Sequence, residues 1–193
     1  MWYTPERTEA LLYYLYMMCD GEITCDEEII FESMCKKLHL IHRDIEVIIE
    51  ESERLTKRSK SIINIIKREQ LVEKTCNIGK AKYSKVTSAR LAAKSKQAMV
   101  IWNLVNIGYA DESYSEEEKE IVNYVIKKCK FDGVIFQEII DTAETISDLT
   151  KQKEWLLSNK RRGKGRDEKE KEIDSEIESI LDDLKLTIKE IAM

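Results

Sequence analysis

Four acidic side chains occur at matching places in two stretches of this chain, and carboxylates are the groups that hold hard cations. Asp20 and Glu27 belong to the first stretch, and Asp111 and Glu118 stand 91 positions later in the second. Ca²⁺ and Mg²⁺ take oxygen ligands of this kind. If the fold brings the two stretches together, the four carboxylates form an acidic patch that could bind either ion as a cofactor.

The same stretches also fit a structural role at the start of two helices. Thr24 stands three positions before Glu27, and Ser115 stands three positions before Glu118, which is the spacing of a capping box. In a capping box the hydroxyl and the carboxylate bind backbone N–H groups and need no ligand. Capping is the favoured interpretation of these residues, and metal binding is the alternative.

An EF-hand calcium loop is not expected at either stretch. With Asp20 at loop position 5, positions 1 and 3 fall on Tyr16 and Met18, which carry no carboxylate. The second stretch places Ile107 and Tyr109 there. Half of the oxygen ligands of an EF-hand are therefore missing.

A second candidate for metal chemistry is the group Cys35, His39 and His42, whose spacing is compatible with soft-metal ligands. A structural zinc site needs four ligands, and no second pair stands nearby in the sequence. We therefore expect a buried thiol and two surface imidazoles. The five cysteines contain no CxxC pair, which indicates buried free thiols in a reduced compartment and predicts a cytoplasmic protein.

No motif typical of catalysis occurs in the sequence. It has no phosphate-binding glycine loop, no nucleophile elbow and no His–carboxylate–nucleophile set on a predicted strand. We therefore expect a protein without enzymatic activity. The first apolar run, Leu11 to Cys19, is too short to cross a membrane and follows charged residues, so neither a signal peptide nor a transmembrane segment is expected.

Helices must position these residues, because the chain has one proline and six glycines among 193 residues. So few breakers leave little room for the tight turns of a sheet, and the predicted fold class is all-α. Thr8, Asp132 and Ser147 are predicted helix caps. The other predicted helices run over Glu27 to Leu40, Asp44 to Arg58, Ser61 to Lys74, Val86 to Tyr109, and Glu118 to Phe131.

The two acidic stretches belong to an internal repeat of apolar helix, short acidic turn and second helix. At these turns the chain resembles the tellurite-resistance TerB family, which includes the TerB-like domain of J-domain co-chaperones. That family carries an Ala-Asp-Gly-x-Ile-Ser-x-x-Glu motif at each of two helix junctions. The first copy here has Cys19 for the alanine and Thr24 for the serine, and the second has Glu112 for the glycine and Tyr114 for the isoleucine. The resemblance covers about residues 8–146.

The resemblance implies an intracellular helical module without catalytic activity. Such modules are tied to stress responses, including tellurite and phage resistance, and contact partners, some at the membrane. Metal binding has been proposed for their acidic residues. We therefore expect a cytoplasmic interaction module in a stress-response pathway. The alternatives are a divalent-metal-dependent regulator and a nucleic-acid-associated factor.

Charge is segregated along the chain, although the net charge is only −5. Residues 1–53 carry 4 basic and 13 acidic side chains, whereas residues 54–96 carry 13 basic and 2 acidic side chains. A fold that brings the two turns together would therefore have an acidic pole and a basic pole. The basic block could bind phosphates. However, the pI of about 5.4 is lower than that of a typical nucleic-acid-binding protein, so a nucleic-acid partner is not favoured.

The predicted organisation is a TerB-like helical domain over 1–158, a basic linker over 159–166 and an appended amphipathic helix over 167–193. One apolar stripe follows that last helix and comprises Ile173, Ile177, Leu181, Leu184, Ile188 and Ile191. A lone helix is marginally stable in water, so this stripe must meet its own domain, a second copy or a partner. A protein contact, including homo-oligomer formation, is favoured over a membrane because the polar face is acidic.

Overall fold

The described part of the chain consists of nine α-helices and contains no β-strand. The structure is a computed structural model that describes residues 4–78, 87–110, 114–158 and 166–191. The helices are α1 (Pro5–Met17), α2 (Cys25–Lys37), α3 (His42–Thr56), α4 (Ile62–Arg68), α5 (Leu71–Thr75), α6 (Thr87–Gly108), α7 (Glu116–Cys129), α8 (Gly133–Ser158) and α9 (Arg166–Ile191). The predicted all-α fold class is confirmed.

The first helix begins earlier than the sequence predicted. Thr4 is its N-cap and accepts a hydrogen bond from the Arg7 N–H at 3.3 Å, while Pro5 occupies the first turn, where its fixed φ suits a helix. Thr8, the predicted cap, is buried inside α1, and its hydroxyl donates to the Thr4 carbonyl oxygen at 2.9 Å. The prediction for Thr8 was wrong because a threonine hydroxyl can also bond the preceding helical turn.

Two largely apolar helices, α1 and α6, form the centre of the core. From Leu11 to Met17, α1 is buried except for the half-buried Tyr14. The buried side chains of α6 include Ala98, Val100, Ile101, Leu104, Val105 and Ile107. A helix without a polar face needs neighbours on every side. The neighbours of α1 are α2, α3, α4, α5 and α6.

A buried polar network joins α1 to α6 and fixes their relative direction. The Lys96 ammonium pairs with the Glu9 carboxylate, and the Tyr13 hydroxyl donates to Glu9 Oε1 at 2.7 Å. The Asn103 amide donates to the Tyr13 hydroxyl at 2.9 Å. Residue numbers rise together along the two helices, so α1 and α6 run in the same direction. Both helices therefore lead into their acidic turns at the same end of the core.

Two predicted helix boundaries differ from the structure. The segment from Ser61 to Lys74 was predicted as one helix, but it is divided into α4 and α5, because Gln70 adopts a left-handed conformation with φ of 53°. Ser147 was predicted to cap a separate helix, but α8 continues through it, since apolar positions recur at helical spacing on both sides. Asp132 does cap α8, and its Oδ1 accepts the Val134 N–H at 2.8 Å.

The last helix, α9, lies antiparallel along α8 and also contacts α6. The Lys153 ammonium binds the Asp174 carboxylate at 2.6 Å, and the Thr187 hydroxyl donates to Glu138 at 2.9 Å. Leu184 and other α9 side chains belong to the main apolar core. The predicted appended helix therefore packs onto the 1–158 region. Residues 159–165 of the predicted basic linker lie outside the described residues.

Candidate functional site

Both predicted capping boxes are present, at the starts of α2 and α7. At α2 the Glu27 N–H donates to Thr24 Oγ1 at 3.3 Å, and the Thr24 N–H donates to Glu27 Oε2 at 2.8 Å. At α7 the matching bonds between Glu118 and Ser115 measure 3.2 Å and 2.7 Å. Both glutamates are buried. The two helix starts therefore have the same local structure.

The structure does not show the four carboxylates predicted as metal ligands together in one site. Glu27 and Glu118 bind the backbone of their own helix starts. Asp20 is exposed, and its Oδ1 accepts the Glu22 N–H at 3.2 Å. Asp111 lies outside the described residues. Among the residues that are described, no three His, Cys, Asp or Glu side chains are grouped to hold a metal ion. The geometry supports the capping interpretation.

The second candidate metal group is also dispersed. Cys35 is buried in the core, and burial, followed by the charge of Glu32, raises the pKa of its thiol to about 12. His39 and His42 are exposed, and His42 Nδ1 lies 3.7 Å from the Glu46 carboxylate. These are the expected buried thiol and surface imidazoles. Another cysteine does not fit the prediction of buried thiols. Cys25, the first residue of α2, is exposed.

The two acidic turns meet at one end of the core. A Cβ atom added to Gly108, the last residue of α6, would lie 2.6 Å from the Tyr16 hydroxyl oxygen. Tyr16 is in the last turn of α1, and Cys19 follows it in the first acidic turn. Burial, and then the nearby Glu118 carboxylate, raise the pKa of both Tyr16 and Cys19. The capping glutamate of the second turn therefore faces residues of the first.

Aromatic side chains flank the second turn, whose residues 111–113 lie outside the described residues. The rings of Tyr109 and Tyr114 lie 4.9 Å apart between centroids, and the Lys119 ammonium lies 5.5 Å from the centre of the Tyr114 ring. A Cβ atom at Gly108 would approach Tyr114 Cδ2 to 2.6 Å, so only glycine fits there without a shift of the ring. Burial raises the pKa of Tyr114. The described residues on either side of the second turn are consequently tightly packed, and we refer to this region as the closed turn.

The first turn opens onto a groove instead. This groove, which we call the turn groove, has a volume of about 550 Å³ and lies between the start of α2, the end of α6 and the middle of α8. Its walls include Thr24, Ile29, Tyr109 and Ile146. Ile29 is 66% exposed at this position. Residues from both acidic turns therefore contribute to one concave surface with apolar side chains.

Acidic side chains predominate around the turn groove. Asp26, in the first turn of α2, and Glu154, on α8, line it. Glu144 lies beside it and accepts a hydrogen bond from the Tyr109 hydroxyl at 2.8 Å. Lys151 is the basic residue among its lining side chains, and it has an interaction of its own within the protein. The groove therefore combines apolar walls with a negative rim.

The apolar stripe of α9, predicted as a partner-binding surface, packs within the protein. Ile173, Leu184 and Ile188 are buried, while Ile177 and Leu181 are half-buried. The side chain of the sixth member, Ile191, lies outside the described set. Three surfaces were possible for the stripe: its own domain, a second copy or a partner. In the structure the stripe packs against its own domain. In this arrangement the stripe is not open to a partner.

A lysine of α4 and a lysine of α7 meet at one aromatic ring, which the sequence did not predict. The ammonium groups of Lys67 and Lys128 lie 5.2 Å and 5.7 Å from the centre of the Tyr124 ring. Lys128 also binds the Glu73 carboxylate at 2.5 Å. Lys128 of α7 thus lies beside a lysine of the predicted basic block, residues 54–96. No sequence signal joins these residues, because more than fifty positions separate α4 and α5 from the end of α7.

Comparisons with family models, with curated proteins and with solved structures found no match to this chain. No helix among the described residues is long and apolar enough to cross a membrane. The resemblance to TerB therefore depends on the two turn motifs. In the described part of the chain, the turn groove is a surface that combines concave shape, exposed apolar area and charge with residues next to both acidic turns.

Proposed function

We propose that this protein is a non-catalytic helical interaction module, similar to TerB, that binds a protein partner through the turn groove. The observation that carries the proposal is the position of Ile29, which is 66% exposed on the wall of that groove. A single exposed isoleucine is ordinary on a protein surface. Here it stands beside the half-buried Ile30 and Ile146, so that a concave apolar surface is exposed to solvent.

The chemistry of the groove indicates the kind of partner. Apolar walls between helices accept one face of an amphipathic helix or an extended segment. The acidic rim, with Asp26 and Glu154, favours basic side chains at the edge of that segment and disfavours acidic ones. The proposed ligand is therefore a cationic amphipathic segment of another protein. The motif resemblance supports a role for that complex in a stress response of the tellurite or phage-defence type.

The groove is tested by a matched pair of isoleucine substitutions. Ile29→Lys places a charge on the groove wall, whereas Ile41→Lys places one on an isoleucine of nearly equal exposure, 65%, that does not line the groove. Both substitutions are at exposed sites, so each should change the free energy of unfolding by less than about 0.5 kcal/mol. We expect quantitative affinity capture to lose specific partners with Ile29→Lys and to keep them with Ile41→Lys.

A photo-crosslinking amino acid gives the complementary measurement. Placed at position 29 it should attach to the partner in cells, and at position 41 it should not. The attached peptide should be basic and amphipathic. Equal capture by both lysine variants, together with no crosslink from position 29, would rule out the groove. The pathway is tested separately, since loss of the gene should increase sensitivity to tellurite or phage.

A further inference from the structure

Two cysteines from distant parts of the chain meet where α5 and α7 end. Cys76 follows the last residue of α5, and its N–H donates to the Val72 carbonyl oxygen at 2.9 Å. Cys129 is the last residue of α7. Cys76 belongs to the main apolar core, and Cys129 packs against that core beside it. The adjacent Lys128–Glu73 ion pair, at 2.5 Å, holds the same two helix ends together.

The two thiols differ in their access to solvent. Cys76 is fully buried, whereas Cys129 is half-buried at the end of its helix. A small oxidant can therefore reach the partly exposed Cys129 before it reaches the buried Cys76. The neighbouring Cys129, and then burial, raise the pKa of Cys76. A thiol of raised pKa is the poorer first nucleophile. This arrangement resembles a reacting and a resolving thiol.

We propose that Cys76 and Cys129 form a reversible disulfide when the protein meets a peroxide. The Cys129 thiolate attacks the terminal peroxide oxygen, the O–O bond breaks, and water or an alcohol leaves. Cys129 is then a sulfenic acid. The Cys76 sulfur attacks the Cys129 sulfur, the S–O bond breaks, and the hydroxide leaves as water with the proton of Cys76. Two thiols lose two electrons and two protons in total, and the peroxide is reduced. A small thiol reverses the reaction by exchange.

The wild-type protein provides the first test. The reduced full-length chain is treated with one equivalent of hydrogen peroxide, the remaining thiols are alkylated, and the digest is analysed by mass spectrometry. We expect a peptide pair that joins Cys76 to Cys129, lacks two hydrogens and disappears on reduction. Because the cross-link closes a loop of about 50 residues, the oxidised protein should melt about 5–10 °C higher than the reduced protein.

Single-cysteine variants identify the order of the steps. Cys76→Ser leaves the sulfenic acid at Cys129 without a partner, so a dimedone probe should label Cys129 more strongly than in the wild type. Cys129→Ser should give neither the cross-link nor dimedone labelling of Cys76. Circular dichroism checks that both variants fold, and the wild-type test does not depend on them. A linked pair that contains Cys19, Cys25 or Cys35 instead, no linked pair, or a cross-linked form that melts lower would overturn the proposal.

Discussion

The two acidic turns begin their helices with the same hydrogen bonds but differ in what surrounds them. Glu118 lies beside Tyr16 and Cys19, and the rings of Tyr109 and Tyr114 contact each other from the two sides of its turn. The first turn, which contains Thr24, leads into the open turn groove. The local motif therefore sets the helix start, and long-range packing decides whether the turn is covered or exposed. The open turn is the one suited to binding.

The largest expected effect is at the glycine under the closed turn. Gly108→Ala would place a Cβ atom 2.6 Å from both the Tyr114 ring and the Tyr16 hydroxyl. We expect the free energy of unfolding to fall by about 3 kcal/mol, since overpacked side chains must shift. Gly133→Ala, which meets no atom within 4 Å, is the control and should change it by less than about 1 kcal/mol. Chemical denaturation measures both. Equal effects would show that the second turn is not tightly closed.

The capping glutamates should differ in a smaller but measurable way. Glu27→Ala removes a cap at the open turn and should cost about 1 kcal/mol. Glu118→Ala removes the matching cap and also the carboxylate that faces the buried Tyr16 phenol. We expect it to cost about 2 kcal/mol, because a buried polar group loses its neighbour. Equal losses in urea denaturation would mean that the surroundings of the two turns do not matter to stability.

Alkaline pH should act where the two turns meet. Burial raises the pKa of Tyr16, Cys19 and Tyr114 in the folded protein above their values in the unfolded chain. Their contribution to stability is complete below the unfolded pKa values, which are about 8.5 for cysteine and about 10 for tyrosine, and is lost as the pH rises above them. Stability should therefore fall above about pH 8.5.

Cysteine variants assign part of that loss to the place where the two turns meet. Cys19→Ala should reduce the slope of stability against pH, by at most about one proton. Cys25→Ala, at the exposed start of α2, is the control substitution. Denaturation curves at several alkaline pH values give the slopes. An unchanged slope in Cys19→Ala would show that this thiol ionises equally well in the folded protein.

Divalent cations should have the smallest effect. Glu27 and Glu118 already bind backbone N–H groups, so we expect millimolar Ca²⁺ or Mg²⁺ to change Tm by less than about 1 °C. A larger rise that disappears in the double variant Asp20→Asn, Asp111→Asn would instead support the metal-binding alternative. Thermal melting with and without the ions, and with chelator, decides between them.

The sequence predicted the features that depend on neighbouring residues. Both capping boxes and the bounds of α6 follow from short-range spacing, and the structure has them. The break at Gln70 was missed because a left-handed glutamine carries no sequence signal as strong as glycine or proline. The continuation of α8 through Ser147 was missed because a serine fits both a cap and a half-buried helical position.

The candidate site was less predictable, because its parts come together only in the tertiary fold. The turn groove needs α2, α6 and α8 side by side, and nothing near Ile29 in the sequence indicates α8. Likewise, the spacing of Ile173 and Leu184 predicts an apolar face but does not say which surface covers it. Cys76 and Cys129 are 53 positions apart, so their contact also had no local signal.

The parallel pairing of α1 with α6 has a consequence for biosynthesis. Glu9 and Tyr13 find their partners 87 and 90 residues later, at Lys96 and Asn103. At roughly 5–20 residues per second, α1 leaves the ribosome about 4–20 s before α6 exists. During that time one of the most apolar segments of the chain lacks one of its neighbours in the core. We expect nascent chains that stop within α6 to aggregate or to recruit chaperones, whereas chains that extend past Gly108 can close the core.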